Sequence, residues 1–270
     1  MDYPYICQTC GVQQAPTAAP PASCPICADE RQYIGHSGQH WLTYPELKST
    51  HRNVIKLEEP GLYGIGVEPK FAIGQRALLL QTESGNILWD CVPLLDETTF
   101  ATIQALGGLK AIALSHPHFN SAIVEWSQAF GGIPVYIHEA DRQWALRPDP
   151  AIQFWSGQTL ELAPGVTVIN CGGHFPGSSV LHWAQGAGGQ GILLTGDTIY
   201  VVADRRYVTF MYSFPNLVPL QAAAVQQIVD RVAPYQFERI YSAWFGAVVP
   251  QAGNEVVRRS AERYLRQIGG

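Results

Sequence analysis

Apolar and polar positions fall into a regular order from about Gly61 onward. Three short apolar runs come first: LYGIGVEP (62–69), RALLLQT (76–82) and NILWDCV (86–92). Each reads as a strand, and Ser84-Gly85 reads as the turn of a hairpin joining the last two. Asp96 to Leu106 has the acidic start and spacing of a helix. LKAIALS (109–115) reads as a buried strand. Ser121 is the expected N-cap of a helix that ends before Gly131. IPVYIH predicts a strand and EADRQWAL a helix. QTLELAPGVTVIN predicts a hairpin around Pro164-Gly165, and SVLHWA and GILLTGD predict strands across a glycine-rich turn. Pro219 to Val232 and Asn254 to Ile268 read as helices, the latter with Val257, Ala261, Tyr264, Leu265 and Ile268 on one side. Hairpins followed by alternating strands and helices predict a layered α/β protein. No internal repeat is visible.

The first 60 residues follow no such pattern. Residues 1–30 hold four of the six cysteines around APTAAPPAS, with too little apolar material for a core. Residues 31–60 carry His36, His40, Trp41 and His51 without periodicity. They read as a connector packed on a main domain that spans 61–270.

Composition narrows the class. Charged residues make up 14% of the 270 positions, below the roughly 25% usual for soluble domains, so much of the surface is neutral. Lys and Arg number 17 against 22 Asp and Glu, scattered without runs, which argues against a nucleic-acid partner. No apolar stretch of about 18 residues occurs, and MDYPYICQTC lacks the features of a signal peptide, so a cytoplasmic protein without a membrane partner is expected. A small-molecule substrate is the expected partner. Monomer and homo-oligomer both stay open.

In a reducing compartment a tight cysteine cluster points to metal. Cys7-x2-Cys10 and Cys24-x2-Cys27 are two knuckles separated by 13 residues. Four thiolates make a closed tetrahedral site without a position for substrate. The alternatives are two disulfides or free thiols. The knuckles resemble those of rubredoxin and zinc ribbons; four thiolates suit Zn or Fe alike, and Zn is expected because the insert is short and lacks the aromatic core that would bury an iron redox centre.

Three further segments carry chemistry at strand ends: ALSHPHFN with His116, His118 and Asn120, NCGGHFPGSS with His174, and LLTGD with Asp197. Residues two apart in an extended loop point the same way, so His116 and His118 can share one ion. Each histidine alone has an ordinary structural reading, and Asp197 alone can be a turn carboxylate. Glu125 lies one helical turn past Ser121, where it either faces the site or is structural. Asn120 either orients water or caps the helix. His138 and His182 read as structural histidines at a strand end and mid-strand. His36, His40 and His51 have no spacing partner, and His36 or His40 is a spare ligand at best. Cys91 and Cys171 read as buried thiols.

These motifs resemble the metallo-β-lactamase-fold hydrolase superfamily over about Gly61 to Gly253. The family carries H-x-H-x-D-H, a histidine within GH-x-PGS, an aspartate after glycine, and a late histidine. The resemblance implies a four-layer αββα sandwich, His116, His118, His174 and Asp197 around a divalent ion (Zn, Fe or Mn), and Asp90 supporting the site from behind. Such an ion lowers the pKa of a bound water; the catalytic candidates beside it are Asp197, as general base where it is not a full ligand, and Asn120, as the residue orienting water. Three positions depart from the family pattern. Asn120, Ser121 and Trp244 stand where the dinuclear members have Asp, His and His, so one ion is expected at this site. Phe210, Tyr212 and Phe214 line either a substrate cleft, together with Trp244, or the core. The resulting expectation is a hydrolase acting on a small ester, thioester or lactone. The alternative is a non-catalytic or redox-linked protein in which the four-cysteine module meets a partner or carries electrons.

Overall fold

The computed structural model describes residues 2–269. Two compact units divide the chain: Met1–Ile137 with Arg142–Phe154, and His138–Asp141 with Trp155–Gly270.

The first unit is built on a seven-stranded sheet in chain order. Its strands are Arg52–Glu59, Leu62–Glu68, Ala77–Leu80, Ile87–Trp89, Ala111–Ala113, Val135–His138 and Ile152–Trp155, the last residue of each of the final two belonging to the second unit. The first four pair antiparallel; Ile87–Trp89 then pairs parallel with Ala111–Ala113, and that strand with Val135–His138. Ala77–Leu80 is buried at every residue, which accounts for a continuous apolar run where a one-sided strand would alternate. Ala77 and Leu79 join one core with Ile65, Leu88 and Ile112 from other strands of the sheet and Ile103, Ile123 and Trp126 from two helices. Each such Ile or Leu contributes roughly 1.5–3 kcal/mol by burial. Residues 52–59, read from sequence as connector, form the edge strand of this sheet. Only Glu59 among them is buried, so apolar periodicity is faint there.

The helix after the histidine pair starts later than expected. It spans Ile123–Ala129, and Ala122 is its N-cap residue. Ser121 cannot serve, because its backbone is in the left-handed region (φ 37°) and its Oγ accepts from Gln75 Nε2 at 2.9 Å. The segment 139–144 is a 3-10 turn rather than an α-helix.

The N-terminal residues pack within this unit. Ile6–Cys7 pairs antiparallel with Trp41–Leu42, and the cysteine cluster with Val12 and Ile26 is covered by Ile73, Trp144 and Leu146.

The second unit carries a six-stranded sheet in the order Thr159–Ala163, Val166–Asn170, Ser179–Trp183, Ile192–Leu194, Arg239–Tyr241, Val248–Val249. Only Ile192–Leu194 and Arg239–Tyr241 pair parallel, and Ala222–Val232 is the helix between them in sequence. That helix buries Val225, Ile228 and Val232 at helical spacing. Gly253–Ile268 buries Val256, Val257 and Ala261 against the same core, with Ile169, Val180, Leu193 and Ile240. No helix among the described residues is long and apolar enough to cross a membrane.

Candidate metal centres

The four N-terminal cysteines come together as the knuckle spacing requires. Cys7 Sγ lies 3.5 Å from Cys27 Sγ, and Cys10 Sγ lies 3.7 Å from Cys24 Sγ. All four sulfurs lie within 4.8 Å of one another. These separations are far beyond an S–S bond of about 2.05 Å. They match the edge of about 3.8 Å in a tetrahedron with metal–sulfur bonds of about 2.3 Å. The first knuckle turns through Gly11 (φ 78°), whose N–H donates to Cys7 O. A Cβ there would stand 2.7 Å from Pro93 Cγ, so only glycine fits. Gln39 donates from Nε2 to Cys7 Sγ at 3.1 Å and accepts from Cys24 N at 3.2 Å, tying the knuckles together. Hydrogen bonds from Cys10, Cys24 and Cys27 hold the Cys7 thiol well below its ordinary range, and burial pushes Cys10 up. The donor set fits a thiophilic ion.

The second group forms from loops after buried strands. In the first unit His116 and His118 follow Ala111–Ala113, their rings 5.1 Å apart. Ser115 Oγ lies 2.8 Å from His116 Nδ1, and Asp90 Oδ1 accepts from Ser115 N at 2.7 Å. Asp90 thus braces the segment ahead of His116. In the second unit Gly172 (φ 68°) and Gly173 (φ 84°) turn the chain into His174, and Asp197 follows Ile192–Leu194. Asp141 Oδ1 accepts from Gly177 N at 2.9 Å, and a Cβ at Gly177 would sit 2.6 Å from that carboxylate, which explains the glycine of the PGSS segment.

His174 Nδ1 lies 3.2 Å from Met211 O. A carbonyl can only accept, so Nδ1 carries the proton and Nε2 presents its lone pair. That Nε2 stands 3.9 Å from Asp197 Oδ2. Two acceptors at this separation suit a shared cation. His116, His118, His174 and Asp197 each offer one ligand atom, and these atoms lie within 4.8 Å of one another. Three imidazoles and a carboxylate fit a divalent ion of the Zn, Fe or Mn kind.

The three positions that depart from the family pattern are otherwise engaged. Asn120 Nδ2 donates to Trp144 O at 3.0 Å, a structural use of its amide. Ser121 Oγ is held by Gln75, which also donates to Cys91 O at 3.1 Å. Trp244 packs against Tyr200 at 5.0 Å. Glu125 does not face the histidines, because Arg147 Nη1 binds it and also donates to Gln13 Oε1 at 2.5 Å.

The expected cleft residues divide. Phe210 is fully buried and packs edge-on against Tyr264, so it is a core residue, while Tyr212 is half-buried and packs against the same core. Phe214 lies 5.8 Å from His174 and 4.7 Å from Tyr200. Burial, and then the charge of Asp197, push the Tyr200 hydroxyl above its ordinary pKa. His138 is bonded to Gly157 O, and His182 to Gln236 O at 2.8 Å, both structural. Cys91 and Cys171 are buried thiols. Sequence reasoning missed Gln75, Asp141, Arg147 and Tyr200, none of which stands in a motif.

Comparison with known proteins agrees with this geometry. The family model of the metallo-beta-lactamase superfamily matches residues 73–244. The chain belongs to that superfamily. It is 53% identical over 266 residues to the uncharacterized protein YmaE of Bacillus subtilis (strain 168), covering 98% of this chain and 96% of the relative. Among solved structures it is similar to a Cronobacter sakazakii metallo-beta-lactamase with a HARLDQ motif, with a TM-score of 0.53 and 18% identity over 83% of this chain and 98% of that one. It is also similar to the metallo-beta-lactamase FIM-1 from Pseudomonas aeruginosa in its mono-zinc form, with a TM-score of 0.55 and 17% identity over 78% and 95% of the two chains. These likenesses establish the metallo-β-lactamase fold.

Proposed function

We propose that this protein is a metal-dependent hydrolase working with one divalent ion at its histidine site and cleaving an ester, thioester or lactone bond. The observation that carries this reading is the convergence of His116, His118, His174 and Asp197 on one small volume. A single ion is our reading because Asn120 and Ser121, bonded through Nδ2 to Trp144 O and through Oγ to Gln75, offer neither a carboxylate nor an imidazole. When bound, the ion supplies Lewis acidity that eases deprotonation of water and polarises a carbonyl. The chain's own residues do the rest. Met211 O fixes the His174 tautomer, and Ser115 and Asp90 fix the approach of His116. In this reading Asp197 is the carboxylate that takes a proton from the attacking water.

The four-cysteine module of residues 1–30 is, in this reading, a closed structural zinc site, since its sulfurs sit in residues exposed by 2% or less. Its metal supplies folding energy that the short segment lacks.

Elemental analysis tests both sites at once. Wild type is expected to carry about two ions per chain. His116→Ala/His118→Ala and Cys7→Ser/Cys10→Ser are each expected to lose about one. Metal-loaded wild type is then assayed on an ester, thioester and lactone panel. Absence of turnover across that panel, or turnover that His116→Ala leaves intact, would sink the hydrolase reading.

A further inference from the structure

Gln13 stands three residues after Cys10 and is buried. The first knuckle fixes the chain leading to it: Cys7 N donates to Val12 O at 3.1 Å, and Gly11 N to Cys7 O at 2.8 Å. From there Gln13 reaches the histidine loop by two routes. Its backbone N–H donates to Ser121 O at 3.2 Å. Its Oε1 accepts from Arg147 Nη1 at 2.5 Å, and Arg147 binds Glu125 in the helix that follows the loop. A third tie runs through Trp144 and Leu146, which pack on the cysteine cluster. Trp144 O accepts from Asn120 Nδ2 at 3.0 Å, and Leu146 O from Ala15 N at 3.0 Å. Val12, Gln13, Asn120, Ser121 and Leu146 line a residual space of about 10 Å³, at the lower limit for one water. All of these residues belong to the first unit.

We propose that the four-cysteine module braces the histidine loop, with Gln13 as the positioning residue, so that the ion on the thiolates governs how tightly His116 and His118 hold theirs. This brace rests on the two metal centres of the proposed function and not on hydrolysis. The loop needs outside support. Ser121, three residues after His118, holds φ 37°, a left-handed backbone that a non-glycine residue keeps only where its surroundings impose it. The cysteine segment has too little apolar material to order itself, so its rigidity comes from the ion. Without that ion Val12 and Gln13 lose their fixed place, and the N–H on Ser121 O and the acceptor on Arg147 go with them. The loop then spends only part of its time in the ligating conformation. Apparent affinity falls by that fraction. The sites share no ligand, and no electron passes between them; the coupling is mechanical.

Cobalt(II) titration of the full chain against a competing chelator, with zinc on the cysteines, tests this. Thiolates give cobalt an intense near-ultraviolet charge-transfer band that imidazole and carboxylate ligands do not, so the spectrum tells which site is filled. Hydrogen–deuterium exchange over residues 115–121 is the second readout and needs no activity. Cys7→Ser/Cys10→Ser is expected to weaken cobalt at the histidines at least about tenfold and to speed exchange in the loop. Gln13→Met keeps four cysteines and the side-chain size but offers Arg147 no acceptor oxygen. It is expected to weaken cobalt about three- to tenfold with zinc still on the cysteines, whereas Gln13→Glu, which keeps the acceptor, stays within about twofold of wild type. Should the cysteine variant fail to fold by circular dichroism, the Gln13 pair decides alone. Wild-type affinity and exchange in Gln13→Met, or equal losses in Gln13→Met and Gln13→Glu, overturn the brace and leave the hydrolase reading standing. Wild type that takes no cobalt at the histidines overturns the hydrolase reading instead; loop exchange faster in Gln13→Met but not in Gln13→Glu then still supports the brace.

Discussion

Asp90 Oδ1 accepts a 2.7 Å hydrogen bond from the backbone N–H of Ser115, whose Oγ in turn lies 2.8 Å from Nδ1 of His116. Asp90 is buried and holds a left-handed backbone (φ 64°), which aspartate and asparagine tolerate better than most residues. Asp90→Ala loses the acceptor and keeps the strain. It is expected to weaken metal affinity at the histidine site by about 10- to 100-fold, as outer partners of metal ligands do. Asp90→Asn, which keeps an acceptor oxygen and tolerates the backbone, is expected to lose much less. Chelator competition on both variants reads the difference.

Arg147 links three parts of the first unit. It binds Glu125 and Gln13 Oε1, while Gln13 N donates to Ser121 O at 3.2 Å. Both charged side chains are under 20% exposed. Arg147→Met leaves Glu125 as an uncompensated, largely buried carboxylate and is expected to cost about 2–4 kcal/mol. Arg147→Met/Glu125→Gln is expected to recover part of that loss. Urea denaturation of the single and double variants checks both.

The six cysteines divide into two chemical groups. Burial pushes the Cys171 thiol up to about 12 and raises Cys91 as well, so both stay protonated at neutral pH. Iodoacetamide is expected to leave the folded, metal-loaded protein unlabelled. After a zinc chelator it is expected to modify Cys7, Cys10, Cys24 and Cys27, with Cys91 and Cys171 reacting only once the protein is denatured. Peptide mass spectrometry reads the sites; early labelling of Cys171 would contradict the assignment.

His182 gives stability a pH dependence of defined sign. Burial lowers its pKa below the ordinary 6.5, partly offset by its bond to Gln236 O. A histidine kept neutral in the fold contributes stability that is full above about 6.5 and declines as pH falls towards the lowered folded value, because the unfolded chain takes up the proton first. The melting temperature is expected to fall as pH drops below about 6.5. His182→Gln, which keeps a donor for Gln236 O, is expected to flatten that part of the curve.

Much of the strand and helix order, both groups of candidate metal ligands and the family were legible in the residue pattern. The reason is that these depend on short-range spacing: two C-x2-C knuckles, an H-x-H, a GH-x-PGS and apolar runs bounded by turns. Ser121 illustrates the limit. Its residue type is a good N-cap, but Gln75, 46 positions earlier in the chain, claims its hydroxyl and its φ of 37° removes it from the helix start. Glu125 and Phe210 have the same history, the first captured by Arg147 and the second by the core around Tyr264. Tyr200 lies outside any motif, and only the fold brings Phe214 and Trp244 to pack on it. Spacing along the chain decides which residues can share an ion. The partner that a lone polar or aromatic side chain finds depends on contacts across tens of residues, and local pattern carries no record of those.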